Sequence, residues 1–378
     1  MLDSMMNYLK TTAIFDYSVG NFVMFAIAGI LIYFAVVKHA EPLLLIPIAF
    51  GIIIGNVPAS ATGIFEPPHD GCPGGLMWYI QQGLLKGVYP PLIFLGIGAL
   101  TDFSFLLSNP KVLFLGAAAQ VGIFFTFVVA SHLGFSVTQS ASIGIIGGAD
   151  GPTSIFLSSK LAPELISIIA IAAYSYIALI PIIQPPIMKL LTTKKERMIR
   201  MEQLRHVSKL ERIIFPVVGT VVVTLLVPKA LPLIGMLMLG NLLKESGVVK
   251  RLVEAASRYI LDSVTILLCV SVGSMARAET FLTPQSLKVV LLGAVAFMIA
   301  TASGILFAKL MNLFVKNKVN PLIGAAGVSA VPDSARVAQA VAQQDDPTNF
   351  ILMHAMGPNV AGVIGSAVAA GIFLAMLG

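Results

Sequence analysis

Charged residues are scarce in this sequence of 378 residues, in which Asp, Glu, Lys and Arg together make up only 11%. Soluble domains carry roughly 25% charged residues, whereas 57% of this chain is hydrophobic, so a soluble globular protein is excluded. The mean hydropathy is +0.91, and apolar blocks of about 20 residues, the length that spans a bilayer core, recur along the chain. The composition therefore predicts an all-α polytopic protein surrounded by membrane lipid.

Several motifs are also missing. The two cysteines, Cys72 and Cys269, fall in a predicted loop and a predicted span, so we expect no disulfide, and two are too few for a metal cluster. No GxxxxGK[ST] motif occurs, which excludes a P-loop ATPase, and no Ala-Met-Lys-Met marks a biotinylated lysine. The net charge of +6 lies in a few loops, a distribution that argues against nucleic-acid binding. The first ten residues carry Asp3 and lack a cleavable signal, so we expect the first span to be retained.

The order of apolar and polar stretches predicts four regions. Residues 193–212 contain seven Lys or Arg against three Glu, and the positive-inside rule places this basic loop in the cytoplasm. The loop either only sets topology or also docks an acidic soluble partner. The predicted regions are N-terminal spans with an extracytoplasmic loop (1–75), a first membrane repeat (76–192), the basic loop (193–212) and a second membrane repeat (213–378).

Two apolar segments are broken by glycine and proline. The first, Ser142–Lys160, contains a single acid, Asp150, within Gly-Gly-Ala-Asp-Gly-Pro, and the second is Asn320–Gln344. A lone carboxylate is costly in a bilayer, and helix breaks free backbone carbonyls. Hard cations prefer such oxygen ligands, so the pattern predicts a Na⁺ site. The alternative is an ordinary solvent-exposed turn between two helices.

The broken segments resemble each other. Ile143-Gly144-x-x-Gly147-x₄-Pro152 recurs 180 residues later as Ile323-Gly324-x-x-Gly327-x₄-Pro332. Matching breaks in two copies are typical of secondary transporters, whose ion sites lie near the membrane midplane between the repeats. We therefore predict two related repeats, inverted relative to each other, with re-entrant or broken helices that meet at one ion site.

The polar residues of the two copies differ, as expected if one site is built from unequal halves. Ala330 replaces Asp150 in the second copy, which instead supplies Asn320 and Ser329, and Asn359 lies in the last span. One carboxylate, Asp150, with neutral oxygens from Asn320, Ser329 and Asn359 would form a site suited to Na⁺. The alternatives are a helix cap for Asn320 and a small packing residue for Ser329.

Arg336 and Tyr176 are the other candidates for chemistry. Asp333 lies three residues before Arg336, which predicts an ion pair; a further possibility is that Arg336 binds a carboxylate or carbamate substrate through its guanidinium fork. Tyr174 and Tyr176 lie inside a predicted span. They either belong to an interfacial aromatic belt or, since a nearby cation lowers a phenol's pKa, deliver protons.

Four long stretches closely resemble the β-subunits of biotin-dependent, sodium-pumping decarboxylases that act on glutaconyl-CoA, methylmalonyl-CoA or oxaloacetate. They are GGADGPTSIFLSSKLAP, AAYSYIALIPIIQPPIMKLLTTKKER, NPLIGAAGVSAVPDSARVAQ and HAMGPNVAGVIGSAVAAG. The resemblance extends from about Lys38 to the end of the chain. It implies a translocase subunit that decarboxylates carboxybiotin with uptake of a proton and thereby exports Na⁺ across a bacterial or archaeal cytoplasmic membrane.

The resemblance also implies partners. A soluble carboxyltransferase α-subunit and a biotin carrier protein would deliver the carboxybiotin, which is not carried on this chain. A small single-span membrane subunit of the γ or δ type and a homo-oligomeric β core are expected as well. The N-terminal end is short compared with the oxaloacetate type, which favours a CoA-ester system.

The family's functional residues map onto this sequence one by one. The resemblance implies catalytic roles for Asp150, Tyr176 and Arg336. It implies carboxybiotin contacts at Arg336, Ser329 and Gly324, and Na⁺ ligands at Asp150, Asn320, Ser329 and Asn359. Two other interpretations stay open: a Na⁺-coupled secondary transporter of an organic anion, and a membrane anchor without an ion site. The anchor leaves Asp150 and Arg336 unexplained at membrane depth.

Overall fold

The computed structural model describes residues 16–58, 63–315, 317–330 and 332–378. Helices form nearly all of the regular structure in these ranges, and the only β pairing there is an isolated bridge between His69 and Cys72. The first ten residues, for which we expect no cleavable signal, lie outside the described residues. The predicted all-α architecture is confirmed.

The helices of the first half run from an N-terminal hairpin to a long proline-containing span. They are α1 Val19–Val37, α2 Pro42–Gly55, α3 Leu76–Leu85, α4 Tyr89–Leu100, α5 Ser104–Ser108, α6 Leu113–Ala119, α7 Val121–His132, α8 Val137–Gly144, α9 Gly151–Leu161 and α10 Ile166–Leu191.

The helices of the second half begin in the basic loop and end at the C-terminus. They are α11 Lys194–Arg197, α12 Lys209–Leu226, α13 Leu231–Ser246, α14 Lys250–Glu254, α15 Leu261–Met275, α16 Ala278–Phe281, α17 Pro284–Met311, α18 Leu322–Ala325, α19 Asp333–Asp345 and α20 Leu352–Leu377. A π-helical turn, Ala255–Ile260, joins α14 to α15.

Six helical segments in the described part of the chain are long and apolar enough to cross a membrane. A seventh results if α3 and α4, which meet at an angle of 66°, form one bent span. The chain is therefore a multi-pass membrane protein. The six segments are Val19–Val37, Pro110–His132, Pro163–Leu191, Lys250–Met275, Pro284–Met311 and Leu352–Leu377.

The apolar stretch 88–107 predicts a single span and the polar stretch 244–258 predicts a loop and helix between spans, but both have different bounds in the structure. The span predicted over 88–107 ends at Leu100, because Thr101 is extended and the Asp102 carboxylate accepts a hydrogen bond from the Ser104 amide (2.8 Å), which starts a separate short helix. The polar stretch predicted over 244–258 divides at Gly247, whose φ of +72° ends α13. Its second part continues through the π-helical turn into α15 as one span.

Glycines allow two helix pairs to cross with their backbones in contact. A Cβ on Gly98 or Gly240 would overlap the facing backbone of α13 or α4, respectively. A Cβ on Gly273 of α15 would likewise overlap the Ile48 carbonyl of α2. Small residues permit such close packing in membranes, where van der Waals contact is a main source of helix association.

The buried side chains form two main cores. The first core contains residues of the second repeat and α6, among them Leu115, Phe297 and Ala338. The second core joins α1 and α2 to α4, α10 and α15, with Met24 and Leu268 at its centre. The long helix α10 contributes to both cores, so it connects the N-terminal hairpin to the second repeat.

We expect Gly273→Ala to lower the thermal unfolding midpoint of the detergent-purified protein by several degrees. The added methyl group forces α2 and α15 apart, and overpacking of this kind costs about 1–3 kcal/mol. Gly29→Ala is the matched control, because nothing lies within 4 Å of a Cβ at that exposed position of α1. Equal midpoints for the two variants would contradict the tight crossing.

Candidate functional site

The first break places Asp150 between two short helices. A 3₁₀ turn over Ile145–Gly148 follows α8, and Ala149 then adopts φ +52°, ψ +42°. This left-handed geometry costs a non-glycine residue on the order of 1–3 kcal/mol and is typical of functional sites. Asp150 is the N-cap of α9, and its Oδ1 accepts a hydrogen bond from the Thr153 amide (3.1 Å). The backbone of the break therefore fixes the carboxylate.

The second oxygen of Asp150 contacts the last helix. Ser366 of α20 donates its hydroxyl to Asp150 Oδ2 at 2.7 Å, and both residues are buried. Sequence reasoning missed Ser366. Its position seven residues after Asn359 puts both on one face of α20, and that spacing is the signal that would have found it.

Ser329 joins the two breaks. Its amide donates to the Gly148 carbonyl at 2.9 Å, so the backbones of the two broken segments touch directly. Its hydroxyl lies beside the Asp150 carboxylate and makes no regular hydrogen bond in the described structure. The predicted meeting of the two breaks is confirmed, while the inverted relation of the repeats stays a prediction.

Asn359 stabilises the second break through hydrogen bonds of its side chain. Its Nδ2 lies within hydrogen-bonding distance of the carbonyls of Ala326 (3.1 Å), Val328 (2.9 Å) and Ala330 (3.2 Å), and of the Ser334 hydroxyl (2.8 Å). Carbonyls freed by a helix break need such donors inside a membrane protein. The Asn359 Oδ1 has no partner among the described residues and is the side of the amide available to a cation.

Two more buried oxygens near the first break lack partners in the described chain, Thr153 Oγ1 and Gln120 Oε1. Gln120 lies between α6 and α7, donates Nε2 to the Gly116 carbonyl (2.9 Å) and packs against Gly148 and Gly365. Unsatisfied buried polar groups are rare in folded proteins. The Asp150 carboxylate with the Ser366 and Ser329 hydroxyls beside it consists of oxygen donors, the type that a hard cation prefers.

Asn320 and Gly324 belong to the second break but contact other parts of the protein than Asp150 does. The Asn320 Nδ2 donates to the carbonyls of Arg197 (2.8 Å) and Ile199 (2.9 Å), and its Oδ1 accepts from the Leu322 amide (3.1 Å). The bond from the Leu322 amide is similar to a helix cap, although Pro321 is the N-cap of α18, and no described hydrogen bond joins Asn320 to Asp150. Gly324 packs so closely on Gly304 that a Cβ would overlap its carbonyl.

The two tyrosines of α10 face different neighbours. The Tyr176 hydroxyl donates to the Val290 carbonyl of α17, and its ring lies against Gly293. Tyr174 lies against Gly151, one residue after Asp150, and its buried hydroxyl has no partner in the described structure. Of the two phenols, Tyr174 therefore packs directly on the Asp150 turn, whereas the hydroxyl of Tyr176 is engaged with α17.

Arg336 lies on an open face of α19. Its Nη1 is 3.4 Å from Asp333 Oδ1, which confirms the predicted i,i+3 ion pair. The Arg336 side chain is 68% exposed, in contrast to the buried Asp150. The structure thus separates a buried acid with oxygen neighbours from an accessible guanidinium that suits a carboxylate or carbamate.

Comparison with known proteins adds to this geometry. Residues 20–377 match the model of the Na⁺-transporting oxaloacetate decarboxylase beta subunit family. The chain is 54% identical to the methylmalonyl-CoA decarboxylase subunit beta of Propionigenium modestum over 100% of both chains. It is 56% identical to the glutaconyl-CoA decarboxylase subunit beta of Acidaminococcus fermentans over 95% of this chain and 94% of that one.

A third relative, the oxaloacetate decarboxylase beta chain 2 of Salmonella typhi, is 47% identical over 99% of both chains. The similarity thus covers the described breaks, the last helix and the basic loop together. The chain belongs to the family of Na⁺-transporting decarboxylase β-subunits.

Proposed function

We propose that this chain decarboxylates carboxybiotin delivered by a partner subunit, consumes a proton and couples the reaction to Na⁺ export. Membership of the Na⁺-transporting family supports Na⁺ as the transported ion. The observation that carries the proposal is the contact between the two breaks, which brings Asp150, Ser329 and Ser366 together. A CoA ester, methylmalonyl-CoA or glutaconyl-CoA, is favoured as the donor, because the relatives named for these substrates are 54–56% identical and those named for oxaloacetate 46–47%.

The Na⁺ ligands would come from three elements. Asp150 supplies the negative charge, Ser366 and Ser329 supply hydroxyls, and Asn359 supplies its free Oδ1. Gln120 Oε1 and Thr153 Oγ1 are further oxygens near the first break. Asn320, which the sequence resemblance implied as a ligand, instead has both ends of its amide engaged with the basic loop and α18.

The carbamate of carboxybiotin would bind at Arg336, where an accessible guanidinium offers charge-assisted hydrogen bonds. Ser329 and Gly324 belong to the same broken segment, Ser329 at its contact with the first break and Gly324 at its packing on α17. The two breaks would move together against the other helices, giving alternating access. A proton-delivery role of Tyr176 stays a prediction.

The basic loop would face the cytoplasm of a bacterial or archaeal cell and meet the soluble partners. Its Arg197 is 2.6 Å from Asp345 and Arg200 is 3.0 Å from Asp346, both at the end of α19. A hydrogen bond from Arg197 holds the pKa of Asp345 below its usual value. The loop is thereby tied to the helix that carries Arg336. A carboxyltransferase, a biotin carrier, a small single-span subunit and further β copies are the proposed partners.

The test is ²²Na⁺ uptake into inverted vesicles that contain this chain with its partner subunits. Methylmalonyl-CoA, glutaconyl-CoA and oxaloacetate are compared as energy sources, with and without avidin. Uptake driven by one donor and blocked by avidin supports the proposal and names the donor. Avidin-insensitive uptake that depends on a co-transported anion would instead indicate a Na⁺-coupled secondary transporter.

We expect Asp150→Asn to abolish donor-driven ²²Na⁺ uptake, lowering the rate at least 100-fold. The amide keeps the size of the side chain but removes the negative charge that compensates a desolvated cation. Asp70→Asn in the exposed loop before α3 is the control and should transport normally. Normal uptake by Asp150→Asn would refute the assignment of Asp150 to the ion site.

We expect Ser366→Ala to raise the half-saturating Na⁺ concentration about tenfold. The substitution removes an oxygen ligand and a hydrogen bond that stabilises the charged carboxylate, and tenfold corresponds to about 1.4 kcal/mol. Ser271→Ala is the matched control, since that buried hydroxyl donates to the Leu267 carbonyl of its own helix (2.7 Å) and has no other hydrogen bond within the described residues. Equal Na⁺ dependence in both variants would exclude Ser366 from the site.

A further inference from the structure

Two carboxyl groups from distant parts of the chain meet beside Arg336. Glu41 is the residue before α2, and Asp333 is the first residue of α19. Asp333 is close enough to Glu41 to affect its ionisation, and Arg336 lies 3.4 Å from Asp333 while its charge also acts on Glu41. Two carboxylates in contact resist being ionised together, so such a pair tends to share one proton.

The surroundings of Glu41 favour its protonated form. Burial raises its pKa to about 7, assisted by the negative charge of Asp333 and by the hydrogen bond between them, while the Arg336 charge acts in the opposite direction. A carboxyl group that titrates near neutral pH can both give up and regain a proton at the working pH.

The contact spans the boundary between the two hydrophobic cores. Glu41 connects α1 to α2, which pack in the second core, whereas Ala335 and Ala338 of α19 belong to the first. Glu41 itself has φ +42° and His39 has φ +52°. Non-glycine residues adopt such geometry rarely and at a cost in free energy, so the connection between α1 and α2 forms an unfavourable turn at Glu41.

The guanidinium of Arg336 has capacity for an anion. It contacts Asp333 through Nη1 alone, at 3.4 Å, and most of its side chain is accessible. Asp333 is its only ion-pair partner within the described ranges. A bound carbamate would therefore lie next to the carboxyl pair, because Asp333 and Arg336 are adjacent on one face of α19.

We propose that Glu41 and Asp333 hold between them the proton consumed when carboxybiotin, bound at Arg336, loses CO₂. This inference rests on the proposed function. In the step, the bond between the carboxylate carbon and the ureido nitrogen breaks and its electron pair stays on the nitrogen. That nitrogen takes the shared proton, CO₂ leaves, and the pair remains as two carboxylates beside Arg336 until water reprotonates it.

Glu41 and Asp333 are better placed for this step than Tyr176 or Asp150. The Tyr176 hydroxyl is engaged with the Val290 carbonyl, and Asp150 is hydrogen-bonded to Ser366 and the Thr153 amide. Proton and Na⁺ would then use separate carboxylates. Loss of Glu41 should therefore change the pH dependence without changing the Na⁺ dependence.

The test uses Glu41→Gln in the complete complex, with decarboxylation measured from pH 6 to 8 at saturating Na⁺. In the wild type we expect the rate to fall as pH rises through about 7, because the shared proton is lost. Glu41→Gln should be at least tenfold slower at pH 6 and nearly independent of pH, with an unchanged half-saturating Na⁺ concentration. Glu41→Asp should restore the pH dependence, and Glu66→Gln in the exposed loop is the control.

Infrared difference spectra of the complex without donor provide a second measurement. A protonated-carboxyl band that disappears between pH 6 and 8, and is missing in Glu41→Gln, would support the pair. If that band is found but Na⁺ uptake is insensitive to avidin, the protonated carboxyl pair exists. Its role in decarboxylation is then overturned together with the proposed function. Avidin-sensitive uptake with a wild-type pH profile in Glu41→Gln would overturn the pair alone.

Discussion

Backbone groups freed inside a membrane must find partners within the protein, and this constraint governs the structure most strongly where its two broken segments meet. The Ser329 amide donates a hydrogen bond to the Gly148 carbonyl, and the Asn359 side-chain amide donates to three carbonyls of the second break. Asp150 is the N-cap of α9. Ser329, through its backbone amide, and Asn359, through its side chain, satisfy the freed carbonyls, while the Ser329 hydroxyl and the Asn359 Oδ1 have no hydrogen-bond partner in the part of the chain that the structure describes. The residues that stabilise the second break therefore also carry the oxygens proposed above as Na⁺ ligands.

The proposed chemistry is divided between a buried and an accessible region. Asp150 is only 6% exposed, whereas the Arg336 side chain is 68% exposed. A desolvated ion needs compensating charge and oxygen ligands, while a substrate carried on a mobile partner needs access. The second broken segment connects the two regions, with Ser329 beside Asp150 and Arg336 on the helix that follows.

The sequence predicts that Asn320 is an ion ligand, but its contacts in the structure are those of a residue that stabilises the fold. Its amide and that of Asn349 both donate to the carbonyls of Arg197 and Ile199. Together with the Arg197–Asp345 ion pair, these contacts hold the basic loop against both ends of the segment that carries Arg336. A polar residue at the edge of a helix break can thus anchor a loop instead of coordinating an ion.

The sequence alone determined the membrane class, the two breaks and the position of a single acid, Asp150, in the first of them, because hydropathy and Gly-Pro breaks are local signals. Local pairing also predicted Asp333 with Arg336. The tertiary structure decided what those signals cannot carry: that Ser366 rather than Asn320 reaches Asp150, that Tyr176 faces α17, and that Glu41 meets Asp333. Each of these three contacts joins residues more than 100 positions apart. Contacts of this kind depend on how helices pack rather than on any periodicity along the chain.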